Sequence, residues 1–226
     1  MQLVHFSVSL DFAEETRVPS LAEQVSFAIA GAKGAGVTKA PKVGVHMKND
    51  EAKLDVEWKP GGCKIVLEDI TSVDQCIETV LSQLNRIDRV APLGEASSID
   101  VVTHWILPAP SDDFASLERK YREAMIVNRE LLWGNASDSS VIVDSKIDDC
   151  FFHHQSGAMD PGQLAEEYTV FKLKNVPAVF IFLLTRILDR SMLQYSRGRM
   201  RERLTWLLNQ SKSHGDAFAQ IWEGVL

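Results

Sequence analysis

Cysteines, long apolar runs and recognisable catalytic motifs are all scarce in this chain of 226 residues. The three cysteines, Cys63, Cys76 and Cys150, are an odd and widely spaced set. They make no disulfide framework, and free thiols of this kind fit a reducing cytosol. The most apolar segment, Val176 to Leu188, is interrupted by Pro177 and Arg186. A membrane-spanning helix needs about 20 apolar residues, so this segment reads as a buried core element. The N-terminus lacks a basic region, an uninterrupted apolar stretch and a small-residue cleavage site, so no signal peptide is expected. Excess positive charge is missing too. A net charge of −7 argues against a generic nucleic-acid coat or a membrane-surface protein. These absences together predict a cytoplasmic protein with no cofactor and no membrane contact.

What is present is ordinary globular composition, 45% hydrophobic and 24% charged, which excludes disorder and fibrous repeats. A folded chain of this size buries roughly 70–75% of its unfolded surface and needs no covalent staple. Val4, Phe6, Val8 and Leu10 alternate with polar residues as a half-buried strand does. Ser20–Glu23 and Ser72–Gln75 have capping-box spacing, the second opening a helix with Val73, Ile77, Val80, Leu81 and Leu84 on one face. Val43–Lys48, Leu54–Trp58 and Cys63–Leu67 alternate around polar and glycine turns, a meander of three strands. Ile99–Leu107 reads as a further strand that Pro108-Ala109-Pro110 breaks.

Asp112-Asp113 then precedes a helix carrying Phe114, Leu117, Tyr121 and Met125, where acidic residues suit the helix dipole. Strands are expected at Val141–Ile147, Cys150–His154, Tyr168–Lys174 and Val179–Leu184. A helix is expected over Ser191–Leu208, an interruption at Ser211–Gly215, and a last helix over Asp216–Leu226. The fold class is therefore α+β. Two mixed halves, residues 1–110 (β-α-β-β-β-α-β) and 111–226 (α-β-β-β-β-α-α), lie around a mainly antiparallel sheet and share one core.

Three places could carry chemistry. Gly31-Ala-Lys-Gly34-Ala-Gly36 resembles a phosphate loop in composition, but Val37 stands where a Walker loop needs lysine, so a helix stop and loop is the plainer reading. Asp148-Asp149-Cys150-Phe151-Phe152-His153-His154 is the densest run of metal-ligand types. Asp148, His153 and His154 are candidate ligands, but the remaining ligands would have to come from elsewhere, and His5, His46 and His104 sit on strands that could converge. No Gly-x-Ser-x-Gly elbow or Cys-x-x-Cys pair is present, and Cys76 lies among core positions of a helix.

The third place is the arginine segment. Between Arg186 and Arg203 lie six of the twelve arginines against two acids, Asp189 and Glu202. Met200, Leu204, Leu207 and Leu208 form the buried stripe of that helix, with Arg197, Arg199, Arg201 and Arg203 in and around it. Guanidinium groups so clustered bind phosphate or an acidic partner, or cover a packed helix edge with their stems. Phe218, Ile221, Trp222 and Val225 recur at helical spacing near the chain end, and an isolated helix of about eleven residues must pack on something.

With this order laid out, the chain resembles a sporadically distributed group of uncharacterised prokaryotic α+β proteins. The resemblance rests on the passage from Cys63 through Val73 to Ile87 and on to Ile99–Leu107. It rests also on a hairpin ending in Phe180-Ile181-Phe182-Leu183, and on Leu204–Leu208 followed by His214–Trp222. It implies a cytoplasmic prokaryotic protein encoded near mobile-element or defence genes, and supplies no functional residue. The function expected from all this is a non-enzymatic binding or regulatory protein. Arg197, Arg199, Arg201 and Arg203 would hold an acidic or phosphate-bearing partner, and the Phe218–Val225 face would meet a protein partner or a second copy. The alternative is a metal-assisted hydrolase, or a nucleic-acid or nucleotide binder, built on the Asp148–His154 region.

Overall fold

The computed structural model describes residues 1–12, 21–29, 36–40, 44–59, 61–109, 113–125 and 139–224. In the first half the chain runs β1 (Gln2–Phe12), α1 (Leu21–Ile29), β2 (Gly36–Ala40), β3 (Gly44–Asn49), β4 (Leu54–Lys59), β5 (Gly62–Glu68), α2 (Val73–Asp88) and β6 (Glu95–Pro108). The second half gives α3 (Phe114–Met125), β7 (Ser140–Ile147), β8 (Cys150–Met159), α4 (Pro161–Glu167), β9 (Phe180–Asp189), β10 (Leu193–Gln194) and α5 (Arg197–Glu223). The α+β class is as the sequence predicts.

All strands belong to one sheet in the order β2-β3-β4-β5-β1-β6-β9-β8-β7, with the short β10 on β6. Every pairing in it is antiparallel. The two halves meet where β6 pairs with β9, Ile99 opposite Asp189 through Pro108 opposite Phe180. Buried residues from both sides of that junction, from Leu3 and Phe6 to Leu208 and Trp222, form one hydrophobic cluster.

Alternation decides what each face does. Phe6, Val8 and Leu10 of β1, Val101 and Trp105 of β6, and Ile181, Leu183 and Ile187 of β9 are all buried. They share the face covered by α2, α3 and α5. The helix stripe Met200, Leu204, Leu207 and Leu208 is buried there as the sequence predicts. A smaller cluster of Val4, Ile106, Met159, Leu164, Phe180 and Phe182 occupies part of the opposite face, beneath α4.

Several local expectations differ from what is found. Gly36–Ala40 forms β2, paired with Gly44–Lys48, where a loop was expected. Ser20, Gly31 and Gly34 lie outside the described residues. Ser72 occupies the N-cap of α2 in extended conformation, but its side chain makes no capping bond. The capping box forms instead at Asp160, whose carboxylate accepts from Gly162 and Gln163 N–H groups while Gln163 reaches back to Asp160 N.

Tyr168–Lys174 is not a strand. The N–H groups of Val170 and Phe171 donate to the Glu68 carboxylate at 2.8 Å each, so they are not free for a ladder. The helix break at Ser211–Gly215 is absent, and α5 runs through it. Ser211 is fully buried, its hydroxyl 2.5 Å from Thr103 Oγ1 and accepting from Trp105 Nε1 at 3.0 Å. Gly215 gives room for the Met1 side chain, whose sulfur would lie 2.7 Å from a Cβ there. Two residues that look like helix breakers are thus spent on close packing.

Candidate functional site

The arginine group is divided among internal carboxylates. Arg197 Nη2 donates to Glu78 on α2 at 3.3 Å, and Arg201 pairs with the same carboxylate. Those guanidinium groups, Arg201 first, hold the Glu78 carboxyl below the usual range. Arg203 Nε donates to Asp189 Oδ2 at 2.6 Å, its Nη2 reaches Cys150 Sγ at 3.3 Å, and its guanidinium lies over the Trp206 ring. Burial alone would raise the Asp189 carboxyl, but bonds from Arg203 and Ser191 leave it lowered. Among the described residues only Arg199 of the four has no ion-pair partner. The phosphate-binding expectation therefore keeps one of its four residues free.

The Asp148–His154 run does not assemble a metal site. Asp148 and Asp149 form the tight turn between β7 and β8, with Asp148 at positive φ, so Asp148 is not on the strand. His153 and His154 point to opposite faces, as neighbours on a strand must. His153 Nδ1 bonds Asp144 at 2.8 Å on the open face. Of the histidines expected to converge, His5 and His104 do, their rings stacked 4.2 Å apart, and His46 instead bonds Asp55. His5 Nδ1 lies 2.8 Å from Glu68 Oε1, so this buried group fastens the Val170–Phe171 backbone over the sheet. Burial, then the neighbouring His5, holds the His104 imidazole well below its ordinary value. Among the described residues no group of three or more His, Cys, Asp or Glu side chains is placed to hold a metal ion.

The C-terminal apolar residues also divide. Trp222 is 1% exposed and packs on Tyr121 of α3 with ring centroids 6.2 Å apart, so it is core and not an interface residue. Val225 lies outside the described residues. Phe218 and Ile221 remain at the surface, and both line a cavity of about 580 Å³ between α5 and the β7–β8–β9 end of the sheet. Its walls include Val141 and Val143 of β7, Leu183 of β9, Met125 of α3 and Ala217 of α5. Among the described residues its lining contains no Asp, Glu, Lys or Arg.

Two histidines supply the polar point of this cavity. His154 lies opposite Thr185 in the β8–β9 ladder, its Nδ1 3.1 Å from Thr185 Oγ1. Its Nε2 is 2.6 Å from Nδ1 of His214 on α5. The Phe152 ring stacks against His214 at 5.6 Å. Burial, followed by the neighbouring His214 and His153, pushes the His154 imidazole down to about 4, and burial lowers His214 as well. Both shifts favour the neutral rings, with one proton in the hydrogen bond that joins them. If that proton sits on His154, His214 carries Nε2–H and donates; if it sits on His214, Nε2 is a lone-pair acceptor. His214 Nε2 has no hydrogen-bond partner among the described residues. His154 was visible in the sequence as part of a histidine run. His214 was not, because its helical alignment with Gln210, Ala217, Phe218 and Ile221 exists only if α5 is unbroken.

The thiols add no nucleophile. Cys63 and Cys76 are pushed up to about 12 by burial, and Cys150 to about 11 by burial and then Asp189. No helix among the described residues is long and apolar enough to cross a membrane.

No protein-family model and no curated protein matches the chain. Among solved structures, one titled "Structure of crystal form IV of TP0453" is similar at 9% identity over 77% of this chain, with a TM-score of 0.16. The match spans 65% of that chain's length, and a likeness at this TM-score carries no argument about fold or function.

Proposed function

We propose that this chain is a non-enzymatic binding protein of the cytoplasm whose ligand is a small apolar molecule with one neutral hydrogen-bonding group. The observation that carries this reading is the cavity of about 580 Å³, with no charged lining residue among those described and a hydrogen-bonded histidine pair at its wall. Ligand pockets fall in the range of about 300–1,000 Å³, mostly apolar with a few placed polar groups. The apolar walls would take the ligand's body, and His214 Nε2 its hydroxyl or carbonyl. The pair meets either group by a change of tautomer in both neutral rings, each losing a proton to water at one nitrogen and gaining one at the other, while the Thr185 hydroxyl turns from donor to acceptor. Among the described lining residues a charged ligand finds no opposite charge to offset its lost hydration, a cost that selects against it. Three buried free thiols support a reducing compartment.

Titration with decanol, its methyl ketone counterpart, decanoate and decylamine, followed by ligand-observed NMR, tests the reading. Decanol and the ketone bind, and the two charged probes bind at least about tenfold more weakly. Ala217→Trp, which fills the cavity from an exposed helix position, abolishes binding while the thermal midpoint holds. Failure of both neutral probes to bind the wild type, or unchanged affinity in Ala217→Trp, overturns it.

A further inference from the structure

β7 ends the sheet, and among the described residues only β8 pairs with it. Edge strands normally carry features that prevent pairing, because their unpaired N–H and C=O groups recruit other strands. Here, among the described residues, the eight-residue strand has no partner on its other side, and Ile142 and Val143 are each 54% exposed and Ile147 47% exposed. We propose that β7 pairs antiparallel with β7 of a second copy of this chain, about a two-fold axis through Ser145, joining two sheets into one.

The sequence of the strand selects that register. With Ser145 opposite its own copy, Asp144 faces Lys146 of the other chain on the open side, twice by symmetry. On the helix side Val143 faces Ile147, also twice. Direct antiparallel neighbours share a face, so each pair is in contact. Centring the axis on Asp144 or Lys146 sets like charges against each other, and centring it on Val143 puts Ile142 against Asp144. Charge and shape therefore favour one alignment. Asp144 Oδ1 is 2.8 Å from His153 Nδ1, which leaves its second oxygen for the partner's Lys146, and Lys146 Nζ now rests over the Phe151 ring at 5.0 Å. This interface is distinct from the Phe218–Val225 helix face expected from sequence. It shares Val143 with the wall of the nearby cavity but does not require a ligand there.

A residue on the symmetry axis is its own partner, which gives a register-specific test. The three native cysteines are buried, so a cysteine at the exposed Ser145 is the accessible thiol. In antiparallel pairs Cα atoms lie about 4.5–5.5 Å apart, within disulfide reach. Mild oxidation of Ser145→Cys yields a covalent dimer, whereas Ile142→Cys stays a monomer. In sedimentation, Lys146→Asp weakens dimerisation about tenfold or more, and the double variant Asp144→Lys with Lys146→Asp recovers it by exchanging the charges. Thermal midpoints of all variants confirm that each is folded. A wild-type monomer at every concentration, equal cross-linking at both cysteine positions, or no recovery in the double variant overturns the proposal.

Discussion

Arg203 and Arg199 sit four residues apart on one helix and differ in what lies beyond the guanidinium. Arg203 neutralises Asp189, whose side chain is fully buried, while Arg199 faces water. Removing one partner of a buried ion pair leaves the other charge uncompensated, so Arg203→Gln should lower unfolding free energy by about 3 kcal/mol. Arg199→Gln should change it by no more than about 0.5 kcal/mol, as exposed substitutions do. Urea denaturation of the two variants checks both figures. The density of arginine is plain in the sequence; its meaning is not. Glu78 comes from another helix, and Asp189 from the end of β9, so only the folded contacts show that Arg197, Arg201 and Arg203 are paired internally.

At the scale of elements, α5 shows why some features could be read and others could not. Its stripe of Met200, Leu204, Leu207 and Leu208 follows directly from helical periodicity. Its continuity does not, since serine and glycine break isolated helices and are tolerated here only because Ser211 bonds Thr103 and Trp105. Placing the break there hid His214 and made Trp222 look like part of a separate, unpartnered tail. Trp222→Ala should cost about 3–5 kcal/mol as a cavity in the core. Ile221→Ala, at a position 60% exposed, should cost less than about 0.5 kcal/mol. Thermal or chemical unfolding separates the two outcomes, and equal small effects would return Trp222 to the surface.

Across the whole molecule the strands were mostly legible and their order was not. Alternation marks a strand locally, but nothing local says that β9 enters between β6 and β8, or that β1 lies between β5 and β6. That order brings His154 to α5 and builds the cavity. It also sets the pH response. His154, His214 and His104 are held neutral in the fold below their ordinary value of 6.5, whereas the unfolded chain titrates near that value. Between 6.5 and about 4 the unfolded chain binds more protons than the folded one. Stability should therefore be complete above about 6.5 and fall as the pH drops toward 4. Thermal midpoints across that window should show a shallower decline for His154→Gln with His214→Gln than for the wild type. The most direct measurement on the binding assignment is a long-range proton–nitrogen correlation spectrum of the imidazoles at pH 7, with and without decanol. Both His154 and His214 should be neutral, and the Nε2 resonance of His214 should move on addition of decanol in the wild type but not in Ala217→Trp. A charged imidazole in the pair, or bound decanol that leaves His214 Nε2 unmoved, would contradict it.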